Sequence, residues 1–217
     1  MPWKKNLLKK ANLYLILDRE VNSYEQLLEL ARASIPCGID IIQLHDKAGL
    51  PKDILKFAGK MQKLLNRRIP FIMNDRIDLA LASGACGVHL GQEDVPVKIA
   101  RQLMGPRAII GASCQTLGQA QAAQAFGADY IGFGSVFKTP TKPQRQPMNL
   151  HRLAEVIHKV KIPVFAIGGI SKDNVVVLRE HGVQRVAVCR AISKAKNIQE
   201  ATRVLSCALY TPQGHKL

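Results

Sequence analysis

The chain has 217 residues, 47% hydrophobic and 22% charged, a composition that excludes collagen-like, fibrous and intrinsically disordered classes. Its net charge of +15 raises a nucleic-acid reading, but the basic residues are spread along the chain and aromatics make up only 5%. That pattern favours small anionic ligands over nucleic acid as partners. No apolar run reaches the roughly 20 residues of a membrane span, and the start MPWKKNLLKK lacks the apolar region of a secretory signal. Five cysteines, odd in number and never spaced C-x-x-C, argue for reduced thiols in a cytoplasmic protein and against a disulfide or zinc framework.

Residues 1–11 read as a basic N-terminal extension, and 211–217 as a flexible tail. Between them runs a strand–helix beat. A first strand is expected at 12–17 (NLYLIL) and a helix over 24–34. The second strand, 39–44 (IDIIQL), precedes a helix over 51–67, and the third, 70–73 (PFIM), a short helical segment at 77–85. Strand 87–90 (GVHL) is followed by helix 95–104, and 108–112 (AIIGA) by 117–127, where Gly127 signals a C-cap. Strands 130–134 (YIGFG), 163–168 (PVFAIG) and 185–188 (RVAV) each precede a further helix, at 150–160, 173–182 and 198–209. Eight strands, mostly apolar without strict alternation and each followed by a helix, predict a parallel sheet covered by helices. The spacing of about 25 residues fits one (β/α)8 TIM barrel of the phosphate-binding type spanning 1–217. An open doubly wound sheet fits less well, because strand 1 ends in LDRE rather than G-x-G-x-x-G.

Barrel chemistry sits on the loops leaving the C-terminal strand ends. There the sequence places QLHDK (43–47), Asn74-Asp75, GQED (91–94), Ser113, SVFKTPTK (135–142), GGIS (168–171) and Cys189-Arg190. Gly168 and Gly169 let backbone amides approach an anion, and loops 7 and 8 form the usual phosphate site of such barrels. Asp75 and Asp94 on neighbouring strand ends suit Mg²⁺, which takes one or two carboxylates and completes its shell with phosphate and water. Lys47, Asn74 and Lys142 are donors suited to a second phosphate-rich group. His89, inside strand 4, reads as a core histidine, and Cys189 as a packed thiol rather than a nucleophile.

QLHDK, IMNDRIDLA, GVHLGQED, IGAS, GADYIGFGSVFKTPTK and AIGGI, in this order from Leu13 to Ile192, resemble the thiamine phosphate synthase family. The resemblance implies a transferase that joins 4-amino-2-methyl-5-hydroxymethylpyrimidine diphosphate to 4-methyl-5-(2-hydroxyethyl)thiazole phosphate, through a pyrimidine-methyl cation left by the departing diphosphate. It further implies Mg²⁺ on Asp75 and Asp94, with Lys47, Asn74 and Lys142 on the diphosphate. Gln43 and Ser113 would contact the pyrimidine, and Ser113, Lys47 and Lys142 would carry the catalysis. Thr139, Pro140, Thr141, Gly168, Gly169 and the backbone at Cys189 and Arg190 would take the thiazole phosphate. Homo-oligomerisation stays open.

Departures from the family pattern are His45 in place of an arginine, Arg190 in place of a serine, Gln115 in place of a histidine, and Asn149 in place of a glycine, where a left-handed backbone is expected. His45 offers the diphosphate at most two donors and a pH-dependent charge, with Arg145 or Arg190 as substitutes if it makes no contact. The rival readings are a thiazole tautomerase, which Gln115 disfavours by removing the base, a phosphosugar isomerase or epimerase, and a non-catalytic barrel that binds a phosphorylated thiamine precursor.

Overall fold

The strands form a closed parallel barrel in chain order, with β8 returning to β1. They are β1 (Leu13–Asp18), β2 (Ile41–His45), β3 (Phe71–Asn74), β4 (Gly87–Leu90), β5 (Ile109–Cys114), β6 (Tyr130–Gly134), β7 (Val164–Ile167) and β8 (Val186–Val188). The computed structural model describes residues 3–140, 144 and 146–210. Its helices begin with α1 (Trp3–Lys10), α2 (Tyr24–Ser34), α3 (Pro51–Leu65), α4 (Ile77–Ser83) and α5 (Val97–Met104). They continue with α6 (Leu117–Ala125), α7 (Leu150–Lys159), α8 (Val175–Glu180), α9 (Arg190–Ser193) and α10 (Ile198–Tyr210).

Two apolar layers hold this arrangement. Side chains alternate across each strand, so Leu13, Leu15 and Leu17 of β1 point outward into the cluster shared with the helices. Tyr14, between them, points inward with Ile41, Ile72, Ile109, Tyr130 and Phe165 to fill the lumen. The aromatic members meet edge to face, Phe165 lying 5.5 Å from Tyr14 and 5.6 Å from Tyr130. Gly111 makes room for this packing, because a Cβ there would collide with the Tyr130 ring.

Three expectations are revised. The N-terminal segment is not a bare extension: residues 3–10 are helical, and Leu8 and Ala11 are buried against the base of the lumen. Asn149 is not left-handed. At φ −69 it caps α7, its side chain accepting the His151 N–H at 2.8 Å. Strands β1, β2, β3 and β5 run one or two residues further than hydropathy suggests, so Asp18, His45, Asn74 and Ser113 lie within the ladder rather than on loops. The expected tail at 211–217 lies outside the described residues.

Candidate active site

A cavity of about 380 Å³ opens at the C-terminal ends of the strands. Gln43, His45, Lys47, Asn74, Asp75, Asp94 and Ser113 line one side, and Thr139, Pro140, Gly168, Gly169, Cys189 and Arg190 the other. Thr141 and Lys142 lie outside the described residues, as does Arg145. A second cavity, about 500 Å³, lies at the opposite end beside Leu8 and Lys161. Its carboxylate, Asp129, is taken up by Arg101, so the chemistry belongs to the first.

The acidic rim is built from three turns. Asp75 sits just past β3 with φ 56, a left-handed backbone that aspartate tolerates comparatively well, and its N–H reaches the His89 carbonyl at 2.9 Å. Lys47 Nζ stands 3.1 Å from Asp75 Oδ2. Asp94 Oδ2 accepts the Gly91 N–H at 2.6 Å. Burial, together with Asp94 beside it, lifts the Asp75 carboxyl above the ordinary value. Burial acts on Asp94 too, but its hydrogen bond with Asp75, the Gly91 amide and the charge of Lys47 bring it below. The rim thus carries two neighbouring carboxylates and one lysine. Among the described residues no third histidine, cysteine or carboxylate joins them. The donor set therefore fits a magnesium ion that shares its shell with substrate oxygens and water.

The polar knot ending β2 divides by role. Asp46 faces the chain, accepting the Tyr24 hydroxyl at 2.5 Å and the Ala48 and Gly49 N–H groups at 3.2 and 2.7 Å. His45 and Lys47 face the cavity. His45 Nδ1 lies 3.4 Å from Oδ1 of Asp18, the last residue of β1. Burial raises the Asp18 carboxyl, but His45, the Glu20 N–H and the charge of Arg190 hold it below its usual value. Sequence reasoning missed Asp18: it stood in LDRE as an ordinary strand exit, and only the Asp18–His45 register pairs it with the unusual histidine.

Inside the rim runs a line of polar side chains, of which sequence reading missed Tyr14 and Tyr130 and the connection itself. Gln43 Nε2 donates to Asn74 Oδ1 at 2.7 Å, and the Tyr14 hydroxyl donates to Gln43 Oε1 at 2.8 Å. The Tyr14 and Tyr130 hydroxyls are 2.8 Å apart. His89 Nδ1 lies 3.0 Å from Tyr130 and its Nε2 2.9 Å from Ser113 Oγ. His89 is thus a core histidine with both nitrogens engaged, as read, yet it ends on a residue of the cavity wall. The sign in the sequence was inward alternation: Tyr14, Gln43, Asn74, His89, Ser113 and Tyr130 all occupy lumen-facing strand positions.

On the far side, Gly168 and Gly169 adopt φ 102 and 65, and side chains there would strike Ser135 and the Phe137–Lys138 backbone. The β6 exit docks on this turn, Val136 N–H donating to Ile167 O at 2.9 Å and Phe137 N–H to Gly168 O at 3.0 Å. The short helix α9 starts beside it at Cys189, whose thiol burial pushes up to about 12, so it is no nucleophile at neutral pH.

The thiamine monophosphate synthase family model matches residues 13–192. A thiamine-phosphate synthase of Gloeobacter violaceus is 41% identical over 191 residues, covering 88% of this chain. The chain spans 55% of that relative's length. A thiamine-phosphate synthase of Ruminiclostridium cellulolyticum is 37% identical over 194 residues, covering 89% of this chain and 92% of that one. Among solved structures, thiamine phosphate pyrophosphorylase from Pyrococcus furiosus superposes with TM-score 0.84 and 35% identity over 94% of this chain and 96% of that one.

Proposed function

The chain belongs to the thiamine monophosphate synthase family, and we propose that it is a thiamine-phosphate synthase. It would condense 4-amino-2-methyl-5-hydroxymethylpyrimidine diphosphate with 4-methyl-5-(2-hydroxyethyl)thiazole phosphate to give thiamine phosphate and pyrophosphate. The observation that supports this reading is one cavity with two distinct polar sides, which we read as a metal-bridged diphosphate site and a phosphate site. One is the Lys47–Asp75–Asp94 rim with Asn74, the other the Gly168–Gly169 turn with the start of α9. A barrel that handles one phosphorylated substrate needs only the second.

Each residue takes a role from its position. Asp75 and Asp94 would hold magnesium, which when bound neutralises charge on the diphosphate. Lys47 and Asn74 bind the diphosphate, and Lys47 opposes the charge that grows as it leaves, the kind of preorganised stabilisation worth about 10²–10³ in rate per donor. Lys142 is assigned the same task by family likeness alone. His45, steadied by Asp18, replaces the family arginine on the same group. Gln43 and Ser113 orient the pyrimidine, while Ile16, Phe165 and Ile167 give the cavity an apolar wall that excludes water from the cation. Thr139, Pro140, Thr141, Gly168, Gly169 and the Cys189–Arg190 backbone hold the thiazole phosphate, bringing its ring nitrogen to the cation.

No general base is required. Gln115 stands exposed before α6, its N–H on Gln119 Oε1 at 2.8 Å, so the tautomerase reading lacks its base there. The five cysteines are free thiols, and we place the protein in the cytoplasm on the odd, unpaired spacing of those cysteines in the sequence. No helix among the described residues is long and apolar enough to cross a membrane. Purified protein, both substrates and Mg²⁺ should form thiamine phosphate, with loss of product on adding EDTA and in Asp75→Ala and Lys142→Ala. Interconversion of thiazole phosphate isomers without coupled product would sink the synthase reading.

A further inference from the structure

The second cavity, at the N-terminal end of the barrel, carries a charge pattern that the fold does not use. Its wall is apolar where Leu8, Ile157, Val160 and Ile162 meet, and three cations, Lys9, Lys161 and Arg185, stand around it. They come from three separate elements: the end of α1, the turn before β7 and the turn before β8. The one carboxylate lining the cavity is Asp129, whose Oδ2 accepts the Arg101 guanidinium at 2.5 Å and the Ile110 N–H at 2.9 Å. Among the described residues none of the three cations forms an ion pair. Arg185 is the most telling of them. Its Nη2 donates to the Lys9 carbonyl at 3.1 Å, while its Nε–H is buried with no hydrogen-bond partner among the described residues. Burial also draws its pKa below the ordinary value, with no carboxylate beside it to restore it. Buried donors are nearly always satisfied, and a half-buried guanidinium without a counter-charge is a costly thing to keep.

From this we infer that the cavity is a binding site for a phosphate ester with a small apolar or aromatic body, separate from the substrate cavity at the other end of the barrel. A guanidinium offers a planar fork of donors that matches phosphate oxygens, and two lysines add charge without fixing geometry. A phosphate dianion answers three cations better than a single carboxylate does. The body of the ligand lies on Leu8, Ile157, Val160 and Ile162, in a volume of about 500 Å³ that falls within the range of small-molecule pockets. Asp129 is already engaged, and no histidine or thiol lines the cavity, so it is a site for binding and not for chemistry. Because Arg185 holds the Lys9 carbonyl, a ligand seated there joins α1 to the turn before β8. None of this depends on what the barrel catalyses.

Phenyl phosphate is the probe that tests it. In nitrogen-15 NMR of the full chain, its addition should shift the Gly182 and Gln184 amides and the Arg185 Nε–H to saturation, the last signal assigned by its loss in Arg185→Gln. The Gly168 and Gly169 amides report the upper cavity in the same spectra, so the two sites titrate side by side. Arg185→Gln should weaken binding at the lower site roughly 10-fold or more and leave the Gly168 titration unchanged. Lys161→Gln, at an exposed position that the fold does not need, should weaken it about 2- to 5-fold. Inorganic phosphate lacks the apolar body and should bind there at least about 10-fold more weakly than phenyl phosphate. Shifts confined to Gly168 and Gly169, or an affinity at the lower site that neither variant changes, would overturn the inference. Equal affinity for the two phosphates would refute the ligand class assigned to the site.

Discussion

Replacing Asp94 by asparagine separates what the acidic pair does for the fold from what it does for the reaction. Asp75 and Asp94 lie close enough to shape each other's ionisation, and burial weakens the solvent that would screen them. Two like charges at 4 Å repel by about 1 kcal/mol in water and about 4 kcal/mol at an effective dielectric near 20. Lys47, 3.1 Å from Asp75, offsets part of this, and both groups keep contact with solvent. The net relief on removing one charge is therefore set at about 0.5–1 kcal/mol. Asparagine keeps an oxygen for the Gly91 N–H, so no amide is orphaned. In EDTA the variant should melt about 1–4 °C higher than the unaltered protein. The pH dependence has a definite sign. Asp75 is held above its ordinary value, so as pH rises through the carboxylate range the unfolded chain loses that proton first and the folded state loses stability. Asp94, held below its ordinary value, acts with the opposite sign and adds stability as pH rises, so Asp94→Asn weakens both dependences and should flatten the pH profile of stability. Activity should fall about 100-fold or more. Magnesium at a hundred times its dissociation constant should add about 2.7 kcal/mol to the unaltered protein and little to the variant, which reverses the order of the two melting points. Scanning calorimetry with and without Mg²⁺ reads all of this. A variant that melts below the unaltered protein in EDTA would refute the idea that the two carboxylates repel each other when magnesium is removed.

Three further substitutions probe other parts of the rim. His45→Arg puts a permanent, forked donor on the rim and should lower KM for the pyrimidine diphosphate; an unchanged KM would mean that His45 does not touch the diphosphate. Asp46→Ala breaks the clamp on Tyr24, Ala48 and Gly49. Hydrogen bonds to a charged group are worth about 1.5–3 kcal/mol, so its melting point should drop about 3–12 °C. Gly168→Ala forces φ 102 on a side chain that meets Ser135, a strain of about 1–3 kcal/mol, and should raise KM for the thiazole phosphate more than for the pyrimidine diphosphate.

The barrel was legible because its outer surface is written in runs such as Leu13, Leu15 and Leu17, which only a helix-covered parallel strand can bury. Lys47, Asp75, Asp94 and the glycine pair were legible because they follow strands closely and carry chemistry a core does not need. Asp18 was not, because its importance comes from pairing with His45 across a ladder, a relation absent from either local stretch. Asp46 drew no role from the sequence, and the structure gives it one in the fold: it sits inside the same polar knot, its oxygens consumed by Tyr24 and the loop amides. His89 was legible as a core residue, whereas its link to Tyr14 and Tyr130 appears only when six strands bring their polar atoms into line.

The strand ends show why the boundaries were misread where the cavity begins. Hydropathy stops β1 at Leu17, β2 at Leu44, β3 at Met73 and β5 at Ala112, whereas the ladder continues through Asp18, His45, Asn74 and Ser113. Backbone pairing is indifferent to side-chain polarity; burial against helices is not. A barrel strand has two faces with different partners, and near its C-terminal end the outer face still demands apolar residues while the inner face has reached the cavity. A polar residue there ends the apolar run without ending the strand. Such residues are held by the ladder on both sides, which gives them the rigidity that binding and orientation require. The misplaced boundaries on these four strands therefore trace the inner rim of the active site, and local rules break where function takes over from packing.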